Sequence, residues 1–374
     1  MKVLYITNLI NTGGVAKVVM SYIIDACSQR NDFECDVVSY EEPNEEIKEL
    51  LKLYDVEYYC LPRPTRNIFL YSKRLIQILK NGRYDAIHTH IEYFNWIPCK
   101  LAKINGVSKT VAHAHGQKGN SENFIYRLIE KVGRNRNAKY CDVRLACSEP
   151  SGKYVFGSGF ELLPNYIDAE NISVINREDI ALYDCEFNLR KGHNIIIGFM
   201  GYIGLQKNPR LAVEVIKKIH DIEPTTVLLM AGDGVEREEI KKYIEDNNMS
   251  EYAFMIGQRT DNLLLMQYFD YLLMPSFSEG MSIALLEAQV SGTPCIVSPG
   301  VPSNNDLHMG LYYQANSFSP EDFVVSYKKV QLNPNNSSLE ERIEILHQYH
   351  NDKESVISKL LSIYRGEIIE NKIE

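Results

Sequence analysis

The chain has 374 residues, a length for two or three domains, and its 45% hydrophobic and 24% charged content is enough to fill a core in each. The opening strand Met1–Ile6 is too short and lacks the cleavage site for a signal peptide. No run approaches the ~20 apolar residues of a membrane-crossing helix, and a net charge of −9 does not point to a nucleic-acid partner.

Val3–Thr7 reads as the first strand. Asn11-Thr12-Gly13-Gly14 follows, then an amphipathic helix to about Ser28. Paired glycines between strand and helix allow close backbone approach to a ligand, so Gly13 and Gly14 are candidate contacts; a plain turn would use the same pair. Further strands are expected at 35–39, 56–60, 85–89, 110–114 and 143–147, with helical patterns between them. That alternation builds a parallel sheet with crossover helices.

Histidines mark two strand ends, in Asp85–His90 and Val111–Gly116. One histidine of each pair is expected on each sheet face. Such residues serve as metal ligands or as satisfied polar groups. No carboxylate or cysteine cluster accompanies them in sequence, so neither a metal nor another cofactor is expected. The cysteines are Cys27, Cys35, Cys60, Cys99, Cys141, Cys147, Cys185 and Cys295, with no Cys-x-x-Cys, which suits reduced thiols in a cytoplasmic protein.

Residues 61–140 carry 15 Lys or Arg against 4 Asp or Glu, a net +11 inside an acidic chain. Such a block fits an anionic surface or ligand. Within it, 125–139 carries Arg127, Lys131, Arg134, Arg136 and Lys139 against Glu130, with Ile125, Leu128, Ile129 and Val132 as an opposing apolar stripe. That helix either lies on anionic lipid or covers its own core.

Residues 169–192 are polar and read as a linker. A second α/β run starts with the strand Asn194–Gly201. Asn208 is expected to cap a helix that begins at Pro209. Strands follow near 225–231, 252–257 and 270–274, with Ala231-Gly232-Asp233-Gly234 as a strand-to-helix turn. Ser319-Pro320 and the capping box Ser338-x-x-Glu341 open later helices, and 352–369 is helical.

Residues 274–298 carry the densest chemistry. A strand ends at Met274, Pro275–Ser278 form a loop, and Glu279-Gly280 lead into a helix from about Met281 to Val290. Ser291-Gly292 stop that helix before the strand Cys295–Ser298. A loop at a strand's carboxyl end and a helix amino terminus is where anionic ligands collect. Backbone N–H groups of Gly280, Met281 and Ser282 are expected to be unpaired and to attract an anion. Glu279 precedes the helix and Glu287 sits in its second turn.

The spacing Glu279-x7-Glu287 resembles the signature of family 4 retaining glycosyltransferases. The resemblance spans nearly the whole chain. It takes in Gly13-Gly14, His115-Gly116, Ala146-Cys147-Ser148, Phe156-Gly157, Pro164-Asn165, Gly201 to Lys207, Gly232-Asp233-Gly234 and Glu279 to Glu287. Within that family it is most similar to bacterial exopolysaccharide and capsule transferases.

The resemblance implies an α/β protein of two Rossmann-like domains facing across a cleft, the glycosyltransferase B fold. It implies an acceptor-side domain at 1–168, with the helix in 352–374 packing back on it, a linker at 169–192 and a nucleotide-sugar domain at 193–351. It implies metal-independent transfer from a nucleotide diphosphate sugar, a UDP-sugar more than a GDP-sugar, to a saccharide or lipid-linked acceptor. The setting would be cytoplasmic, peripheral on the inner face of the plasma membrane. Glu279, His115 and Lys207 are the implied catalytic residues, with Glu279 on the donor sugar and Lys207 on the diphosphate. Gly13, Gly14, Tyr202, Arg259, Gly280, Met281, Ser282, Ile283 and Glu287 are the implied donor contacts.

Two positions depart from the family pattern. Tyr166 replaces a glycine, and Tyr202 stands where an arginine is usual, leaving Arg259 as a substitute cation or Tyr202 as a stacking group. A nucleotide-sugar epimerase of the same fold and a non-catalytic binding partner are the rival readings.

Overall fold

The computed structural model describes residues 1–11, 13–29, 33–116, 124–168, 172, 176–189 and 195–367. Thr12, Asn194 and part of the expected linker lie outside them, as does the end of the expected 352–374 helix. The chain divides into two units, Met1–Asn165 with the segment from Lys353 onward, and Tyr166–Asp352.

In the first unit the order is β1 (Lys2–Thr7), α1 (Gly14–Gln29), β2 (Glu34–Ser39), α2 (Glu45–Leu53), β3 (Tyr58–Cys60), α3 (Ile68–Gly82), β4 (Ala86–His90), α4 (Trp96–Ile104), β5 (Lys109–Ala114), α5 (Phe124–Tyr140), β6 (Val143–Ala146), α6 (Glu149–Val155) and β7 (Glu161–Leu162). The second contains α7 (Arg177–Phe187), β8 (Ile195–Met200), α8 (Pro209–Ile222), β9 (Thr226–Ala231), α9 (Arg237–Asp246), β10 (Ala253–Gly257), α10 (Asn262–Tyr268), β11 (Tyr271–Met274), α11 (Ile283–Ser291), β12 (Cys295–Val297), β13 (Tyr312–Gln314), α12 (Pro320–Leu332) and α13 (Leu339–Gln348). Last comes α14 (Lys353–Arg365), which belongs to the first unit.

The first sheet runs β3-β2-β1-β4-β5-β6-β7 and the second β10-β9-β8-β11-β12-β13, every pair parallel. Each is a doubly wound sheet whose strand order reverses once, between β1 and β4 and between β8 and β11. Ligands bind in the crevice outside the carboxyl ends of the strands at such a reversal.

Side chains alternate across both sheets, which sorts the cores. In the first unit Leu4, Ile6, Ile87 and Ala112 pack with Tyr71 and Leu75 of α3 and Cys99 of α4. The opposite face carries Tyr5, His88, His90 and His113 against Tyr22 of α1 and Tyr364 of α14. In the second unit Ile197, Phe199, Leu228 and Met230 pack with Leu211 and Ile216 of α8 and Phe323 of α12. Met200, Leu229, Leu272 and Met274 pack with Tyr183 of α7, Leu265 of α10 and Leu285 of α11. Each fully buried aliphatic side chain is worth roughly 1.5–3 kcal/mol over its exposed state.

Several local expectations change. The supposed linker holds α7, opened by an Asn176–Asp179 capping box and anchored by hydrogen bonds from Tyr183 to Asp261 and from Tyr268 to Asp184. Polar composition hid it, because one face of a short helix is all that it buries. Asn208 stands at the start of α8 but in the left-handed region (φ 52°), and its side chain does not cap. Tyr166 is not among the residues of positive φ, so the chain passes this point without the conformation that a glycine would serve. The edge strands β7 and β13 are too short to read from periodicity.

Candidate functional site

In the second unit, loops 201–208 and 275–282 follow β8 and β11, the two strands at the reversal. They are tied together: Phe277 N–H donates to Gln206 O (2.8 Å), Gln206 Nε2 to Ser278 O (2.8 Å) and Asn208 Nδ2 to Pro275 O (3.3 Å). Lys207 Nζ is thereby held 2.8 Å from Glu279 Oε1, with side-chain exposures of 19% and 9%. The two form a charge pair without hydrogen-bond alignment, and Glu279 Oε1 has no hydrogen-bond partner. Desolvating a lysine and a glutamate is costly, so a pair like this is weak evidence for stability alone. Both groups keep bonding capacity for a ligand.

Gly232, at the end of β9, has φ 145°, and a Cβ there would stand 1.8 Å from Gly201 O. Only glycine lets these two strand ends approach so closely. Beside them Tyr202 is about half exposed, and its Oη accepts from Val235 N–H (3.3 Å). It stands at the rim as a neutral group.

The helix after Glu279 begins at Ile283, two residues later than expected. One expected donor is already used: Ser282 N–H donates to Asn305 Oδ1 (2.7 Å), while Asn305 Nδ2 donates to Gly280 O (2.9 Å). Asn305 is itself fixed, since its carbonyl accepts from Gln289 Nε2 (2.7 Å). Among the described residues, the N–H groups of Ile283 and Ala284 have no partner, so the anion-seeking end of α11 lies there rather than at Ser282. Met281 is half buried and accepts at Sδ from Asn351 Nδ2 (3.5 Å). Glu287 is buried in the second turn.

Arg259, the expected substitute cation, is engaged by carboxylates of its own unit. Its guanidinium grips Asp261 through Nε (2.9 Å) and Nη2 (2.7 Å) and Glu186 through Nη1 (2.6 Å). Two carboxylates occupy the fork that a diphosphate would need.

In the first unit, His115 follows β5 at the carboxyl edge. Its N–H and that of Gly116 both donate to Glu92 Oε1 (3.1 and 3.0 Å). Glu92 opens a short 3-10 turn after β4 with φ 56°, a left-handed backbone held in place by this clamp. Burial pushes the Glu92 carboxyl up to about 7, against the two backbone N–H groups. Burial lowers His115 to about 3, so its imidazole is neutral near pH 7. Gly13 has φ 97°, and a Cβ on Gly13 or Gly14 would meet nothing within 4 Å, so this turn faces open space.

The histidines do not split between faces. Residues two apart on a strand share a face, and His88, His90, His113 and His115 form one buried cluster. Glu92 and Asn305 were missed in the sequence. Glu92's place two residues after His90, at a strand end, was the available signal; Asn305 gave none, because its partners lie 23 and 25 residues away.

Residues 12–171 match the family described as Glycosyltransferase Family 4, and residues 185–323 the family described as Glycosyl transferases group 1. The chain is 30% identical over 273 residues to the UDP-Gal:alpha-D-GlcNAc-diphosphoundecaprenol alpha-1,3-galactosyltransferase of Escherichia coli, covering 67% of this chain and 68% of that one. It is 22% identical over 343 residues to the capsular polysaccharide biosynthesis glycosyltransferase CapH of Staphylococcus aureus, covering 88% and 90%. Among solved structures, HepE of Anabaena in complex with UDP and glucose superposes with a TM-score of 0.81 at 15% identity, over 98% of this chain and 100% of that one. A glycosyltransferase of Rickettsia africae does so with a TM-score of 0.74 at 16% identity, over 99% of each. At those identities the structures speak for the glycosyltransferase B fold. Sequence kinship, two doubly wound sheets and the Lys207–Glu279 pair at a strand-order reversal agree: the chain belongs to the family 4, group 1 glycosyltransferases.

Proposed function

We propose that the protein transfers a sugar, with retention of anomeric configuration, from a UDP-sugar to a saccharide or lipid-linked saccharide acceptor during assembly of a surface polysaccharide. The observation that carries this is the Lys207–Glu279 pair, desolvated and not fully bonded, beside the open first turn of α11. A departing nucleoside diphosphate gathers negative charge. An ammonium and helix N–H groups fixed beforehand in a dry site stabilise that charge strongly. Lys207, Ile283 and Ala284 take this role, Glu279 holds donor-sugar hydroxyls, and Glu287 holds the ribose. Donor binding is assigned to the second unit and acceptor binding, with His115, to the first. Two relatives favour uridine: the Escherichia coli enzyme is named for UDP-Gal, and the Anabaena structure contains UDP.

Isothermal calorimetry with UDP, GDP, TDP and ADP tests the reading. Selective UDP binding that is lost in Lys207→Ala supports it. Preference for GDP overturns the uridine assignment, and binding of none overturns the donor site.

A membrane-bound acceptor gives the basic helix a use. In α5, Leu128, Ile129 and Val132 are exposed at 53%, 36% and 41%, so they do not cover the unit's own core. Gly133 and Asn137 turn inward instead, Gly133 against Tyr93. Arg127, Lys131, Arg136 and Lys139 stand exposed on the same helix, whereas Arg134 donates to Tyr154 O (2.8 Å). The Ile125 side chain lies outside the described residues. Exposed apolar and basic side chains on one helix suit an anionic bilayer, on the cytoplasmic face if the acceptor is made there.

A further inference from the structure

Three of the clustered histidines bring ring nitrogens together and also carry nitrogens without a partner. His88 and His90 share a face of β4, and His113 stands beside them on β5. Their ring centroids are 4.2, 5.4 and 5.4 Å apart. One ring nitrogen from each lies within 4.8 Å of the other two, and all three side chains are buried.

Hydrogen bonding fixes which atoms are left over. His88 Nδ1 is 2.6 Å from Tyr364 Oη, and that hydroxyl donates its only proton to Tyr5 Oη (3.0 Å). His88 must therefore supply the proton of the first bond, from Nδ1, and its Nε2 is a bare lone pair with no partner. His90 Nδ1 is 2.8 Å from His115 Nε2, and His90 Nε2 is also without a partner. Neither nitrogen of His113 makes a well-formed hydrogen bond; the backbone of Leu163 lies close to it and favours its protonated form. Leaving a buried polar atom without a partner is costly. An electron-pair acceptor at the centre would relieve all three.

We propose that His88, His90 and His113 form a buried zinc site that supplies three of the ion's ligands and takes no direct part in sugar transfer. Imidazole-only donors suit zinc among the common divalent ions. Bonds of 2.0–2.1 Å hold tetrahedral ligand atoms roughly 3.4 Å apart, so small rotations of the three rings close the set. Tyr364 and His115 sit where outer-sphere partners of ligating histidines belong, on the Nδ1 side of His88 and His90. A metal on His90 Nε2 obliges His90 Nδ1 to carry a proton. That proton is donated to His115 Nε2, leaving the His115 proton on Nδ1. The ion would thus join β4 to β5, brace α14 through Tyr364 and set the tautomer of His115.

The test uses the full chain, purified without chelator and without a polyhistidine tag. Elemental analysis should find about one zinc per chain, and chelation followed by Zn2+ should lower and then restore the thermal midpoint by on the order of 5 °C. Co2+ loaded in its place should show the visible absorption of cobalt held by three imidazoles with one further ligand position. His113→Gln and His88→Gln should each lose the stoichiometric ion and the cobalt band. Should a variant fail to fold, the wild-type titration and spectrum decide. Fewer than about 0.1 ion per chain after loading, with an unchanged midpoint, would make the cluster a hydrogen-bonded core and overturn the site. Uptake that persists in both variants would place the ion elsewhere and overturn it equally.

Discussion

In the proposed reading Lys207 and Glu279 divide one task, and single substitutions separate them. Lys207→Ala should lower kcat/KM by 10² to 10³, the usual loss when one preorganised donor is removed. Retention of more than about a tenth of activity, under roughly 1.4 kcal/mol, would show that another group carries the diphosphate charge. Glu279→Gln should act mainly on kcat if its proposed contact is with the reacting sugar. Glu287→Ala should act mainly on the donor KM, because ribose binding is uniform along the reaction. Steady-state kinetics of both variants check the split, and equal small effects would remove it. These carboxylates and the lysine were legible in the sequence because motif spacing places them beside a strand end. The pairing of Arg259 was not legible, because its partner Glu186 lies 73 residues upstream.

The histidine-bearing strands β4 and β5 give one element pair an unusual pH response. Burial, then mutual repulsion, holds His88, His90 and His113 well below the ordinary range, and burial holds His115 near 3. In the unfolded chain these groups titrate near 6.5. Their contribution to stability is therefore present above about pH 6.5 and lost as pH falls below it, because the unfolded chain then binds more protons. Glu92 works in the opposite sense: raised to about 7, it contributes stability at low pH that is lost as pH rises through 7. Four histidines outweigh one carboxyl. The urea midpoint of the chelated protein should fall from pH 7 to pH 5, and His113→Phe should flatten the slope. A midpoint independent of pH would mean that the rings are charged, or solvated, in the fold. At this scale the sequence showed where most strands and helices lie, since apolar periodicity is local. The start of α11 at Ile283 was not readable, because Asn305 fixes the preceding loop from another part of the chain. Nor was α7, whose buried tyrosine lies among polar residues.

The two sheets, each with its own strand-order reversal, were foreseeable from alternating strands and helices, and the asymmetric charge from a count. A net +11 between residues 61 and 140 should make any bilayer association depend on salt. Sedimentation with anionic liposomes should pellet the protein at low ionic strength and release it at high, with Leu128→Ser and Lys131→Glu weakening the effect; no pelleting at low salt would make α5 an ordinary surface. The placement of α14 has a different consequence, one of timing. The first unit is discontinuous: Tyr364 of α14 bonds to Tyr5 of β1, yet is synthesised about 200 residues after Asn165. At 5–20 residues per second that interval is roughly 10–40 s. Throughout it the sheet face bearing His88 and Tyr5 lacks part of its cover, while the second unit, unbroken in sequence from Tyr166 to Asp352, is complete before α14 is made. The portion translated first should therefore be the last to finish folding. A chain ending before Lys353 should keep the cooperative unfolding of the second unit and show fast hydrogen exchange across β1 and β4. Slow exchange there would mean that the first unit closes without its final helix.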